Sequence, residues 1–205
     1  MSGKYLSIDT EATGLHEGAL LIQFALVPVD AAREKVLVYL GRELLVHCPT
    51  FEELQPTLNP WVLEYNKELI VHANRSGITR EKLKENVLAY LNSPEIKELF
   101  GDEKPVLLGK SLSALDIPIL TRYLGREFME NNFHHHTLDL TSVAHFLVDA
   151  GKLPEGCQST TELIQHFKIR EEAKHTALSD AIDMANIYLH LMQMMKKMYS
   201  PRSVT

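Results

Sequence analysis

Apolar positions along the chain fall into two regimes. The first 48 residues carry them in short, dense runs: "KYLSID" (4 to 9), "ALLIQFALVPVD" (19 to 30) and "EKVLVYLGRELLVHC" (34 to 48). Such Leu-, Ile-, Val- and Phe-rich runs predict buried strands. Only "TGLHEG" and "DAAR" separate them, so an antiparallel meander is the economical connection. A bulge is expected near Gly41. Further on, the apolar spacing widens to three and four. "TLNPWVLEYNKEL" (57 to 69) starts after an Asn-Pro signal and predicts a short helix. "TREKLKENVLAYLNS" (79 to 93) places Leu83, Val87, Leu88 and Leu91 on one helical face behind a Thr79 cap.

One strand interrupts this helical half. "KPVLLGKSL" (104 to 112) is a short apolar run ending near Gly, as suits a central strand. Helices are then predicted over 114 to 125, with Pro118 in the first turn and Gly125 at the end, over 159 to 169 behind Ser159 or Thr160, and over 176 to 199. "HTLDLTSVAHFLVDAG" (136 to 151) begins extended and continues as a helix. The fold class is α/β: a mixed central sheet, its first three strands antiparallel, flanked by helices. A length of 205 residues suits one domain over 1 to 200, with 201 to 205 a flexible tail.

Composition narrows the picture modestly. Hydrophobic content of 45% and charged content of 23% fit a folded protein rather than a disordered one. No stretch approaches the roughly 20 apolar residues of a membrane helix, and "MSGKYLSID" enters a strand without a signal-peptide pattern. Cys48 and Cys157 match no metal spacing and are expected as free thiols in a reducing cytoplasm. A net charge of -6 argues against coating long nucleic acid by charge alone. It leaves room for an enzyme whose acidic residues hold divalent cations.

Three segments carry candidate chemistry. In "YLSIDTEATGL", Asp9 and Glu11 are i and i+2 on a strand, so both point to one side at its end. Adjacent like charges raise each other's pKa unless a cation lies between them, and Mg²⁺ or Mn²⁺ favours such carboxylate ligands. Asp116, in "GKSLSALDIPIL", falls in the first turn of a predicted helix. In "HTALSDA", Asp180 sits on the last helix and His175 five residues before it, an imidazole able to accept a proton near neutrality. Taken singly, each has a plainer reading: a solvated strand end, a helix-dipole Asp and a capping or surface His.

Together, Asp-x-Glu on a first strand, a mid-chain Asp and His-x4-Asp on a late helix resemble the DEDDh-type 3′–5′ exonucleases, the superfamily of ribonuclease T and polymerase proofreading subunits. "IDTEATGL", "LDIPIL" and "HTALSDAIDMANIY" resemble its three motifs, and "LNPWVLEYNKELIVHANRSGIT" its connecting segment. The resemblance implies a ribonuclease H-like fold and two divalent ions. Asp9, Glu11 and Asp180 would hold one ion, Asp9 would bridge to the second, and Asp116 would serve that second ion directly or through water. His175 would take a proton from the attacking water, releasing a nucleoside 5′-monophosphate from a single-stranded DNA or RNA 3′ end. Gly109-Lys110-Ser111 departs from the family's usual His-Asn or Ala-Asn.

By the same resemblance, Thr13, Gly14 and Leu15 are candidate substrate contacts, against a plain turn with Leu15 in the core. His135 and His136 stand where related oligoribonucleases place an aromatic and an Arg against substrate phosphate. "FHHHTLDL" (133 to 140) also suggests zinc, but three consecutive His on an extended segment point alternately and should not converge. Asp139 reads as structural, Phe24 as core, and "HLMQMMKKMY" as a packed helix or a dimer seam. Two alternatives stand beside the exonuclease: an oligoribonuclease acting on very short RNA, and a catalytically weak binding subunit of a replication or repair assembly. A homodimer or a polymerase or repair protein is the expected partner.

Overall fold

The computed structural model describes residues 3–170 and 176–199. Its centre is a six-stranded mixed sheet. Strands β1 (Lys4–Ala12) and β2 (Leu21–Asp30) pair antiparallel, with Asp9 opposite Ala25 and Glu11 opposite Gln23. The third apolar run divides into β3 (Lys35–Val36) and β4 (Arg42–Leu45), each antiparallel to β2. Between them Val38–Leu40 forms a 3₁₀ turn closed by the Gly41 N–H on the Val38 carbonyl, where a bulge was expected.

Helices α1 (Phe51–Leu54), α2 (Pro60–Tyr65), α3 (Lys67–Ser76), α4 (Arg80–Leu91) and α5 (Pro94–Phe100) follow. The helix expected over 57 to 69 is therefore two, broken at Asn66. Then come β5 (Val106–Gly109), α6 (Asp116–Leu124), α7 (Arg126–Asn132), β6 (Thr137–Asp139), α8 (Leu140–Asp149), α9 (Thr160–Phe167) and α10 (Ala177–Tyr199). β5 lies parallel to β1, and β6 parallel to β5. The predicted architecture of a mixed sheet between helices is borne out.

Side-chain alternation decides what each sheet face meets. Leu6, Ile8, Phe24 and Leu26 pack against Leu83, Val87, Ile119 and Leu120. Ala25 and Val27 meet Ala177 and Ala181, while Val29 meets Ala185. These alanines let α10 lie close to the strands. The buried Ser7 hydroxyl donates to the Ala181 carbonyl at 2.7 Å, tying β1 to that helix. In the Met-rich end of α10, Met194 and Met195 are half-buried against the α8 cluster, while Met198 and Tyr199 are exposed. No described helix is long and apolar enough to cross a membrane.

Candidate active site

Ser7 sets the register of the site. Residues 7, 9 and 11 share the face that α10 covers, so Asp9 and Glu11 emerge beside Asp180 in the first turn of α10. One ligating atom from each of Asp9, Glu11 and Asp180 lies within 4.8 Å of the others. The start of α10 is fixed from outside the helix: its Ala177 N–H donates to Gln23 Oε1 at 2.9 Å, and its Leu178 N–H to Glu43 Oε1 at 3.2 Å. Gln23, opposite Glu11 in the sheet, thereby positions the carboxylate arriving from the helix.

Asp116 reaches the cluster from the other side, at the start of α6. Thr10, facing away from its neighbours Asp9 and Glu11, donates to Asp116 Oδ1 at 2.7 Å. Asp139 holds the intervening loop: its Oδ1 accepts from the Ser111 and Thr141 N–H groups, its Oδ2 from Leu112 N–H at 2.9 Å. The expected structural role of Asp139 is thus visible.

The carboxylates are strained by one another's company. Burial first, then the charges of Asp116, Asp180 and Glu11, raise the Asp9 pKa well above its ordinary value, with Lys110 opposing. Glu11 is raised to about 7 by burial and by Asp180, although Asn66 Nδ2 donates to its Oε2 at 3.3 Å. Burial also raises Asp116 to about 7, against the Thr10 hydrogen bond. Arg170, in the loop after α9, meets two carboxylates of α10, Asp180 at 3.1 Å and the buried Asp183 at 2.7 Å. An all-oxygen donor set with surplus negative charge fits hard divalent cations, which would relieve the repulsion.

A cavity of about 940 Å³ opens over these groups. Gly14 and Leu15 line it, and Leu15 is 79% exposed rather than in the core. Thr13 does not line it: the residue is buried, and its hydroxyl accepts the Leu20 N–H at 2.8 Å to close the loop. Across the cavity stands Trp61, half exposed, its ring centroid 5.2 Å from that of Tyr65. Lys110, Arg122 and Arg170 supply positive charge to the lining.

His135 and His136 are not brought to this cavity. They precede Thr137, which pairs with Leu107, itself opposite Leu6. They therefore lie at the start of the parallel strands, whereas the carboxylates sit at the ends. His175 lies outside the described residues. Trp61, Asn66 and Arg170 were not singled out from the sequence. A half-buried Trp, a helix-breaking Asn and a loop Arg carry no pattern that separates them from packing or surface residues.

A model of the exonuclease family known as RNase T matches residues 6–188, most of the chain. The chain belongs to this exonuclease family. Solved structures of nucleases share its fold. Cell-death related nuclease 4 is 15% identical with a TM-score of 0.71, covering 94% of this chain and 64% of its own. The nuclease domain of 3′hExo, a DEDDh family member bound to rAMP, is 15% identical with a TM-score of 0.66 over 94% and 92% of the two chains. Exonuclease I of E. coli, in complex with a dT13 oligonucleotide, is 14% identical with a TM-score of 0.65, over 96% of this chain and 42% of that one. No curated protein matches by sequence. The chain thus spans a little under two thirds of the first of these nucleases and less than half of the last.

Proposed function

We propose that this exonuclease removes nucleoside 5′-monophosphates from single-stranded 3′ ends by metal-dependent hydrolysis, within one catalytic domain over residues 1 to 200. The observation that carries the proposal is the convergence of Asp9, Glu11 and Asp180, with Asp116 beside them, at the floor of a cleft of about 940 Å³. Asp9, Glu11 and Asp180 would hold one Mg²⁺ or Mn²⁺, and Asp9 with Asp116 a second. Bound there, the cations supply an activated water and charge neutralisation at the leaving 3′-oxygen.

The chain's own groups do the rest. Thr10 and Asn66 hold the Asp116 and Glu11 carboxylates in place through their hydrogen bonds. Trp61 and Leu15 offer apolar faces on which a terminal base stacks, worth about 1–3 kcal/mol per base on an aromatic ring. Lys110 and Arg122 attract the phosphate backbone into an otherwise acidic site. His175, by its motif, accepts the proton of the attacking water. The two buried free thiols, Cys48 and Cys157, suit a reducing cytoplasm.

The net charge of -6 favours short substrates or ends delivered by a partner over long tracks. The deciding experiment incubates 5′-labelled single-stranded DNA and RNA of several lengths with Mg²⁺, Mn²⁺ or EDTA. A ladder shortening from the 3′ end, absent with EDTA, is the expected result. The same length series separates a general single-strand enzyme from one confined to very short RNA. No cleavage of any substrate, together with no gain in melting temperature from Mn²⁺, would leave the binding-subunit reading in its place.

A further inference from the structure

The His134–His136 run does not alternate as an extended segment would. It bends at His135, and the ring centroids gather within 4.1 to 4.9 Å of one another. One ligating nitrogen from each ring lies within 4.8 Å of the others. The expectation that these side chains could not converge is therefore overturned, because alternation holds only while the backbone stays extended.

We propose that His134, His135 and His136 form a second metal site, separate from the carboxylates, for a borderline first-row ion such as Zn²⁺. Three features support it. The backbone is anchored on the preceding side, where Phe133 is buried in the core and His134 N–H donates to the Pro105 carbonyl at 2.9 Å. On the following side, the chain enters β6 at Thr137. The ligand type is also selective: imidazole suits Zn²⁺, Ni²⁺ and Cu²⁺, whereas the all-oxygen cluster suits Mg²⁺ and Mn²⁺.

Zn–N bonds of about 2.0–2.1 Å put tetrahedral ligands about 3.4 Å apart, so the rings must close slightly. His135 and His136 are exposed and can rotate to do so. A water would complete the shell.

The geometry also supplies a local reporter. His134 Nδ1 accepts the His136 N–H at 3.0 Å. An ion on Nδ1 displaces that amide. An ion on Nε2 requires the proton to sit on Nδ1, which ends the same hydrogen bond.

The test titrates Zn²⁺ into the untagged chain at neutral pH with Mg²⁺ in excess, followed by calorimetry and by amide NMR. One Zn²⁺ equivalent is expected, with a shifted His136 amide resonance. Asp9→Ala should retain that equivalent, while a His134→Gln, His136→Gln double variant should bind it more than about tenfold more weakly. His135→Ala, at an exposed position that leaves the fold undisturbed, should weaken it as well. Undiminished Zn²⁺ binding by the double variant would overturn the site. So would loss of the equivalent on Asp9→Ala alone, which would assign the ion to the carboxylates.

Discussion

Glu11 is only 8% exposed, and its carboxyl is held at about 7 by burial first and the Asp180 charge second. Glu11→Gln removes that charge at nearly constant volume. In EDTA at about pH 8 the variant should melt higher than the unaltered chain, because a buried, repelled anion has been neutralised. The gain in melting temperature from Mn²⁺ should shrink, and turnover should fall by about 10²-fold or more. Lower stability in EDTA would mean that Glu11 is not under repulsion. Arg170 poses the complementary question. Its guanidinium engages Asp180 at 3.1 Å, on a carboxylate that a cation would also need, and Asp183 at 2.7 Å. Arg170→Gln should therefore tighten Mn²⁺ binding in a calorimetric titration. Unchanged or weaker binding would show that the ion pair does not compete with the metal.

At the scale of elements, the pieces that build the site were the most legible. Residues 4 to 9 and 19 to 30 read as strands: the first lies within β1, and the second starts two residues ahead of β2 and ends with it. The parity of Asp9 and Glu11 followed from strand geometry alone, and the last helix was placed from Ala177 to Tyr199 within a residue. Local pattern failed where tertiary contacts intervene. The break at Asn66 serves a hydrogen bond to a residue 55 positions away, and the run over 34 to 48 divides at a turn that no periodicity marks. Short α5 and α7 went unread for want of a full amphipathic repeat. The His run shows the same limit: one bend at His135 cancels the alternation that an extended strand imposes. Gly77 shows how tightly elements meet. A Cβ there would lie 2.4 Å from both the Ala73 carbonyl oxygen and the His47 nitrogen, where Val46 bridges to Ile78. All of these contacts are backbone and cannot swing aside. Gly77→Ala should cost about 3 kcal/mol or more in a urea unfolding series, at the upper end of overpacking effects. Full stability would mean that the α3 terminus relaxes away from β4.

Across the whole molecule, the carboxylate cluster couples the site to stability through protons. Asp9, Glu11 and Asp116 all have folded-state pKa values above their ordinary ones, Glu11 and Asp116 at about 7. A carboxyl raised in this way binds more protons folded than unfolded between its two pKa values. Its stabilising effect is therefore complete below the unfolded value and disappears as pH rises through the folded one. In EDTA, the melting temperature should fall from about pH 5 to about pH 8. The exposed Glu34, Glu53 and Glu81, whose pKa values are lowered by their hydrogen bonds, act below that window and leave its sign unchanged. Excess Mn²⁺ should reverse the slope, because cation ligation needs the deprotonated carboxylates. Binding at 100 times Kd then adds about 2.7 kcal/mol to the folded state. The two melting curves should accordingly converge near pH 5 and separate towards pH 8. A Glu11→Gln, Asp116→Asn variant should flatten both. If the EDTA curve instead rose with pH, the carboxylates would already be compensated within the protein, and no cation would be needed to hold them together.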